Sequence, residues 1–406
     1  MREIILISFL GPDQPNQFTR LMQVLSAYSL QILDVGQAVI HNQLTLGIVV
    51  ASEDQTATAL AMKEILILAH EIGLTVRFKP ILATDYDQWV SEGGRTRYIV
   101  TALAPELKAS HLQAVTQIVS SQGFNIETVT RLSGRPTLTG ESTEPKRACV
   151  EFGLKGQMLD AAAMRAACLK LSSELNVDVA VQEDNAYRRN RRLVCFDMDS
   201  TLIEQEVIDE LAIEAGVGEQ VAEITERAMQ GELDFQSSFR ARVALLKGMD
   251  ASVLASIAER LTVTEGAERL ISTLKALGYR TAILSGGFQY FAEYLQAKLG
   301  IDEVHANILD IQDGKVTGEV KGHIVDGARK ALLLTQIAEE MGISLEQAIA
   351  VGDGANDLPM LSIAGLGVAF RAKPLVRQNA NQAISSVGLD GVLYLLGVHD
   401  KDLNRG

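Results

Sequence analysis

Cysteine is scarce in this chain: three in 406 residues, at positions 149, 168 and 195. An odd, scattered set gives no disulfide framework. Each thiol lies in an apolar segment, where a buried free cysteine is expected. Proline is also thin, with 8, and tryptophan occurs once. No apolar run approaches the ~20 residues of a membrane span. Met1 to Ile4 enters a strand directly, without a signal-peptide profile. No membrane partner is expected, and a cytoplasmic location is. Positive charge is in deficit: 37 Lys and Arg against 51 Asp and Glu leave a formal net charge of −14. That disfavours nucleic acid as a partner. The cluster Arg188, Arg189, Arg191 and Arg192 is expected to be a solvated linker. The six histidines show no metal-ligand spacing. What remains is 47% hydrophobic and 22% charged residues, enough for ordinary cores and two or three domains.

Against that background the run Val194-Cys195-Phe196-Asp197-Met198-Asp199-Ser200-Thr201 stands out. An apolar strand ends in two aspartates one residue apart. Paired carboxylates are expensive to bury unless a cation or a reaction needs them. Alone, the doublet reads better as an acidic turn after a strand. Three later segments change that. Thr281 to Gly287 is a second apolar strand, ending in Ser285-Gly286-Gly287, where glycines let backbone approach an anion. Lys330 opens an apolar helix after Asp326. Ala348 to Asp357 is a third strand ending in Asp353, Asn356 and Asp357, an oxygen-rich set suited to Mg²⁺.

The ordered set DMDST, SGG, Lys and GDGAND resembles the haloacid dehalogenase superfamily over the half of the chain from Arg192 onward. Glu204-Gln205-Glu206, Met229, Phe235, Arg242 and Phe288 make it most similar to the phosphoserine phosphatase family. The resemblance implies a Rossmann-like parallel α/β sheet in residues 190–406, with a helical cap at about 204–262. Asp197 would be the nucleophile, forming an aspartyl-phosphate. Asp199 would be the acid and base, its proton favoured by repulsion from Asp197. Mg²⁺ would be held by Asp197, the Asp199 carbonyl and Asp353, with Asp357 in support. Ser285, Gly286 and Lys330 would neutralise the phosphoryl oxygens, and Asn356 would position phosphate or Lys330. Glu206 and Arg242 would take the ammonium and carboxylate of phosphoserine. Phe235 and Met229 would wall the pocket. The implied reaction is Mg-dependent hydrolysis of O-phospho-L-serine, the last step of serine biosynthesis. Action on another small phosphorylated metabolite, as phosphatase or phosphotransferase, and an inactive amino-acid sensor are the alternatives.

Before the catalytic half, strand and helix periodicities recur as βαββαβ in residues 1–84 and again in 95–184, with a linker at Gly93-Gly94. Two such ferredoxin-like units resemble ACT domains. Sheet edges of this kind pair between chains, so a homodimer is expected. Amino-acid-binding ACT modules tend to carry glycine where the first strand turns into the first helix. Asn16 and Ala109 stand there instead, with a steric penalty for Ala109 if positive φ is needed. A role in assembly is therefore expected of these modules. A fragment from about Asn185 is expected to hold all the chemistry.

Overall fold

Alternation sets the first sheet. In β1 (Glu3–Pro12) Ile5, Ile7 and Phe9 are buried on one face. They meet Leu21, Val24 and Leu25 of α1 (Gln17–Ala27). Then follow β2 (Gln31–Ile40), β3 (Gln43–Ser52), α2 (Gln55–Glu71) and β4 (Thr75–Ile81). The sheet is antiparallel, in the order β2-β3-β1-β4, which is ferredoxin-like. The sequence reading has no counterpart for α3 (Ala83–Ser91): it is short, none of its residues is fully buried, and its apolar face is only Tyr86, Trp89 and Val90. Asn16 takes the left-handed conformation at φ 68, which asparagine tolerates.

The computed structural model describes residues 2–91, 97–138, 146–230 and 232–403. The linker at Gly93-Gly94 lies outside the described residues. The chain forms two compact units, Met1–Arg95 and Thr96–Gly406. Among the described residues no helix is long and apolar enough to cross a membrane.

The second unit begins with the same order again: β5 (Arg97–Ala104), α4 (Ala109–Ser121), β6 (Asn125–Arg131), β7 (Ala148–Lys155), α5 (Ala161–Leu175) and β8 (Asp178–Glu183). Its sheet runs β6-β7-β5-β8. Ala109 opens α4 without positive φ, so the steric penalty does not arise there.

Next come β9 (Leu193–Phe196) and a helical insertion of α6 (Val207–Glu214), α7 (Gly218–Met229), α8 (Phe235–Ala244) and α9 (Val253–Arg260). The insertion leaves and returns at an antiparallel bridge between Ile203 and Val263, where Glu204 N–H donates to Thr262 O. The chain continues through α10 (Ala267–Ala276), β10 (Arg280–Phe288), α11 (Gln289–Leu299), β11 (Glu303–Gln312) and β12 (Lys315–Lys321). It ends with α12 (Gly327–Glu340), β13 (Ala348–Gly352), α13 (Leu358–Ile363), β14 (Leu366–Phe370), α14 (Pro374–Asn379), β15 (Gln382–Ile384), α15 (Gly391–Leu395) and α16 (Asp400–Leu403). The sheet order is β12-β11-β10-β9-β13-β14-β15, parallel except where β12 joins β11. Phe196 pairs with Ile283 on one side and Val351 on the other. The three motif-bearing strand ends therefore lie together at the switch point, where an open α/β sheet has its crevice.

The β5–β8 module and the catalytic sheet share one core. Leu103, Leu132, Cys149 and Ala180 are buried in the same cluster as Val194 and Phe196. The side chain of Gln382 pairs with the Val181 backbone, accepting from its N–H at 3.0 Å and donating to its carbonyl at 2.6 Å. Asp178 Oδ2 accepts from the N–H groups of Ser385 and Ser386 and from the Ser386 hydroxyl. This corrects the reading of Arg188 and Arg191 as solvated. Both are buried, and Arg188 pairs with Glu151 at 2.5 Å. Arg189 and Arg192 are exposed as expected, so the segment joining the module to β9 runs along the surface and turns only Arg188 and Arg191 inward. All three cysteines are free and buried.

Candidate active site

Lys330 is the centre of the site. It has no exposed surface, although it stands in the first turn of α12. Its Nζ donates to Asp197 Oδ1 at 2.8 Å and Asp357 Oδ1 at 2.6 Å. Burial opposes its charge, but the two carboxylates outweigh that and raise its pKa. Asp197 follows β9, and its Oδ1 also accepts from Met198 N–H at 2.7 Å. Burial, then Asp357, push the Asp197 carboxyl well above the usual range, with Lys330 opposing.

Asp197, Asp353 and Asp357 each offer one carboxylate oxygen, all within 4.8 Å of one another. Asp353 is pushed up to about 7, by burial first and Asp357 second. Three crowded carboxylates with one lysine between two of them are short of positive charge. The donor set is all oxygen, which fits a hard divalent cation. Thr201 Oγ1 donates to Asp353 Oδ1 at 3.3 Å. Asp357 Oδ2 accepts from Gly354 N–H at 2.9 Å, so this residue ties Lys330 to the loop after β13.

The Asp199 side chain is held by the insertion and faces the SGG turn, where a Cβ on Gly287 would overlap its Oδ2. Its Oδ1 accepts from Val207 N–H at the start of α6, at 3.0 Å. Burial, then Glu206, raise its pKa to about 8, with the Val207 N–H opposing. Repulsion between Asp197 and Asp199, expected on sequence, also raises Asp197, and burial and Glu206 add to it at Asp199.

On the neighbouring strand β10, Ser285 is fully buried and its Oγ accepts from Gly287 N–H at 2.8 Å, leaving its proton to donate. A Cβ on Gly286 would fall 2.9 Å from Phe235 Cζ and 3.6 Å from Asn356 Nδ2. The first turn of α8 thus closes over the SGG turn. Ser200, held at φ 54, donates its hydroxyl to Glu206 Oε1 at 2.8 Å. Arg242, half-buried on α8, has a buried Nε with no hydrogen-bond partner. Burial lowers its pKa, while Asp209, Glu206 and Asp199 hold it up. A guanidinium beside acidic groups, with an open donor, can receive a carboxylate.

A haloacid dehalogenase-like hydrolase model matches residues 191–365, and an ACT domain model matches residues 3–79. Over 400 residues the chain is 40% identical to the phosphoserine phosphatase of Streptomyces coelicolor, covering 97% of this chain and 92% of that one. The chain belongs to the phosphoserine phosphatase family. Another relative, the phosphoserine phosphatase SerB2 of Mycobacterium tuberculosis, is 40% identical, with coverage of 97% and 93%. Among solved structures, an unliganded probable phosphoserine phosphatase of Vibrio cholerae matches with TM-score 0.59 and 35% identity, over 75% of this chain and 87% of that chain.

In this phosphatase the fold gathers Asp197, Lys330, Asp353 and Asp357 into one cluster, with Asp199, Ser285, Gly286, Asn356 and Phe235 around it. Glu206 joins through Ser200, and Arg242 through its charge. The Met229 side chain lies outside the described residues. Lys330 contacts carboxylates, not Asn356. Ser200 and Thr201 were missed as participants. Their signal was present, two hydroxyls directly after the aspartates, but it does not say which acid each would meet.

Proposed function

We propose that the enzyme hydrolyses O-phospho-L-serine to L-serine and phosphate, the last step of serine biosynthesis, through a phosphoryl group carried on Asp197. The observation that carries this reading is the Asp197–Lys330–Asp357 triplet with Asp353 beside it, capped by an Arg242 that lacks a partner for Nε. Both hydrogen bonds to the Asp197 carboxylate go to Oδ1, which leaves Oδ2 to attack phosphorus. As that bond forms, the P–O bond to serine breaks and Asp199 gives its proton to the departing oxygen. Water then attacks the phosphorus, its proton passing to Asp199, and Asp197 is freed with phosphate. A pKa of about 8 keeps Asp199 protonated at neutral pH for the first step. Lys330, the Ser285 hydroxyl and the Gly286 N–H would balance charge on the transferred group.

Mg²⁺ would be held by Asp197, Asp353 and the Asp199 carbonyl, and would supply positive charge to the phosphoryl oxygens. Arg242 would grip the substrate carboxylate and Glu206 its ammonium, which supports phosphoserine over a sugar phosphate. A homodimer is part of this reading. It is supported by the edge strand β2, which carries Val35, Val39 and Ile40 exposed.

The test is release of phosphate from phosphoserine with and without Mg²⁺. Asp197→Asn should fold and lose turnover, with no phosphoenzyme trapped on acid quench. Persistent phosphoenzyme in that variant would move the nucleophile elsewhere.

A further inference from the structure

A guanidinium stays charged inside a protein, so a buried arginine needs an explanation. Among the described residues five arginines have a buried Nε without a hydrogen-bond partner: 147, 188, 191, 242 and 377. Arg147 pairs with Asp390 at 3.4 Å and Arg188 with Glu151 at 2.5 Å. Arg242 belongs to the active site. Arg191 and Arg377 remain, and both line one cavity of about 450 Å³.

That cavity lies where α5 and β8 meet the segment from α13 to β15, inside the second compact unit, and its Arg191, Glu346 and Gly365 stand just before β9, β13 and β14, at the end of the sheet opposite the active-site strand ends. Arg191 is 5% exposed, and its two hydrogen bonds go to neutral oxygens, Gln182 Oε1 at 3.2 Å and Gly365 O at 3.3 Å. Among the described residues Arg377 hydrogen-bonds only the Ser172 hydroxyl, at 3.0 Å. Neither makes an ion pair among the described residues. Burial, and Arg188 after it, lower Arg191 to about 10, the sign of a cation short of anions. Arg165 adds a third positive charge at the exposed rim, against Glu183 and Glu346. Met164 and Cys168 give an apolar floor. The volume suits a metabolite, and such sites combine apolar walls with a few placed polar groups.

We infer that this cavity binds a small organic anion, a metabolite bearing carboxylate or phosphate, gripped by Arg191 from the linker and Arg377 from α14. Its ligand touches both the ACT-like module and the catalytic sheet, so binding fastens one to the other. The site is separate from the phosphoryl-transfer cluster and makes the module a sensor through a face other than its β-to-α turns.

The experiment is calorimetric titration of inorganic phosphate and, separately, of malonate into the full chain. Wild type, Arg377→Gln and Ala161→Trp are compared. Ala161, exposed on the first turn of α5, lines the cavity without contributing an arginine, so the indole fills the space if Arg377→Gln fails to fold. Wild type should show one more binding event than either variant for at least one probe. The variants should lose it by tenfold or more in affinity, with basal turnover of phosphoserine unchanged. A response to phosphate alone assigns a phosphate-bearing ligand, and a response to malonate alone a carboxylate. Isotherms identical in wild type and a folded variant, for both probes, overturn the inference.

Discussion

Lys330 shows how one side chain can be read correctly in type and missed in setting. A lysine in a first helical turn is ordinarily solvated, and here it is fully enclosed between Asp197 and Asp357. The motif spacing names the lysine, but only the fold supplies the two carboxylates that make its burial tolerable. Glu206 belongs to the same scale. It is the second cause of the raised Asp199 pKa, after burial. A group that must be protonated loses activity as pH rises through its pKa. Removing the negative neighbour lowers that pKa, so Glu206→Gln should move the basic limb of the kcat/KM profile to lower pH. An unmoved limb in a pH series would detach Glu206 from Asp199. Arg242→Ala should cost about 2–5 kcal/mol in kcat/KM on phosphoserine, the range for a buried charged contact. An aryl phosphate without a carboxylate should be affected far less. Equal losses on both substrates would assign Arg242 to the phosphate or to the fold of the insertion.

The elements that carry the site are short strands ending in small or acidic residues. Four residues, Leu193–Phe196, are enough for β9 because both neighbours cover it, and its continuous apolar run made it legible. The helix α3 was illegible for the opposite reason: it is short and only Tyr86 on it is half-buried against the core. The turn after β13 depends on a glycine. A Cβ on Gly352 would overlap the Asp357 carboxylate. Gly352→Ala should therefore displace Asp357, weaken its hold on Lys330 and cost about 1–3 kcal/mol of stability. Loss of activity well beyond the fall in Tm would show that Lys330 has moved. Ala109 was read at a position where glycine would matter, yet α4 begins there with negative φ. Local spacing cannot tell a helix start from a left-handed turn; Asn16, at the corresponding position of the first module, shows that both solutions occur in one chain.

At the scale of the molecule, periodicity located both βαββαβ modules and the parallel sheet, but not which of them share a core. That depends on contacts between residues far apart in the chain, such as Asp178 with Ser385 and Arg188 with Glu151. A fragment from about Asn185 holds every residue of the candidate site but not the far half of this shared core. Such a fragment would expose the surface covered by Leu103, Leu132, Cys149 and Ala180. A fragment of residues 97–406 should stay monodisperse and active, and one of residues 185–406 should aggregate or unfold at a lower temperature. Equal Tm values for the two would show that the shared core adds nothing.

The bond between Gln382 and Val181 has a further bearing, on synthesis. The two residues are 201 positions apart. The edge of β8 leaves the ribosome long before the glutamine that seals it, roughly 10–40 s earlier at about 5–20 residues per second. Throughout that interval the nascent module presents an open strand edge, and the chain depends on finishing its last sheet strand before another polypeptide pairs there first.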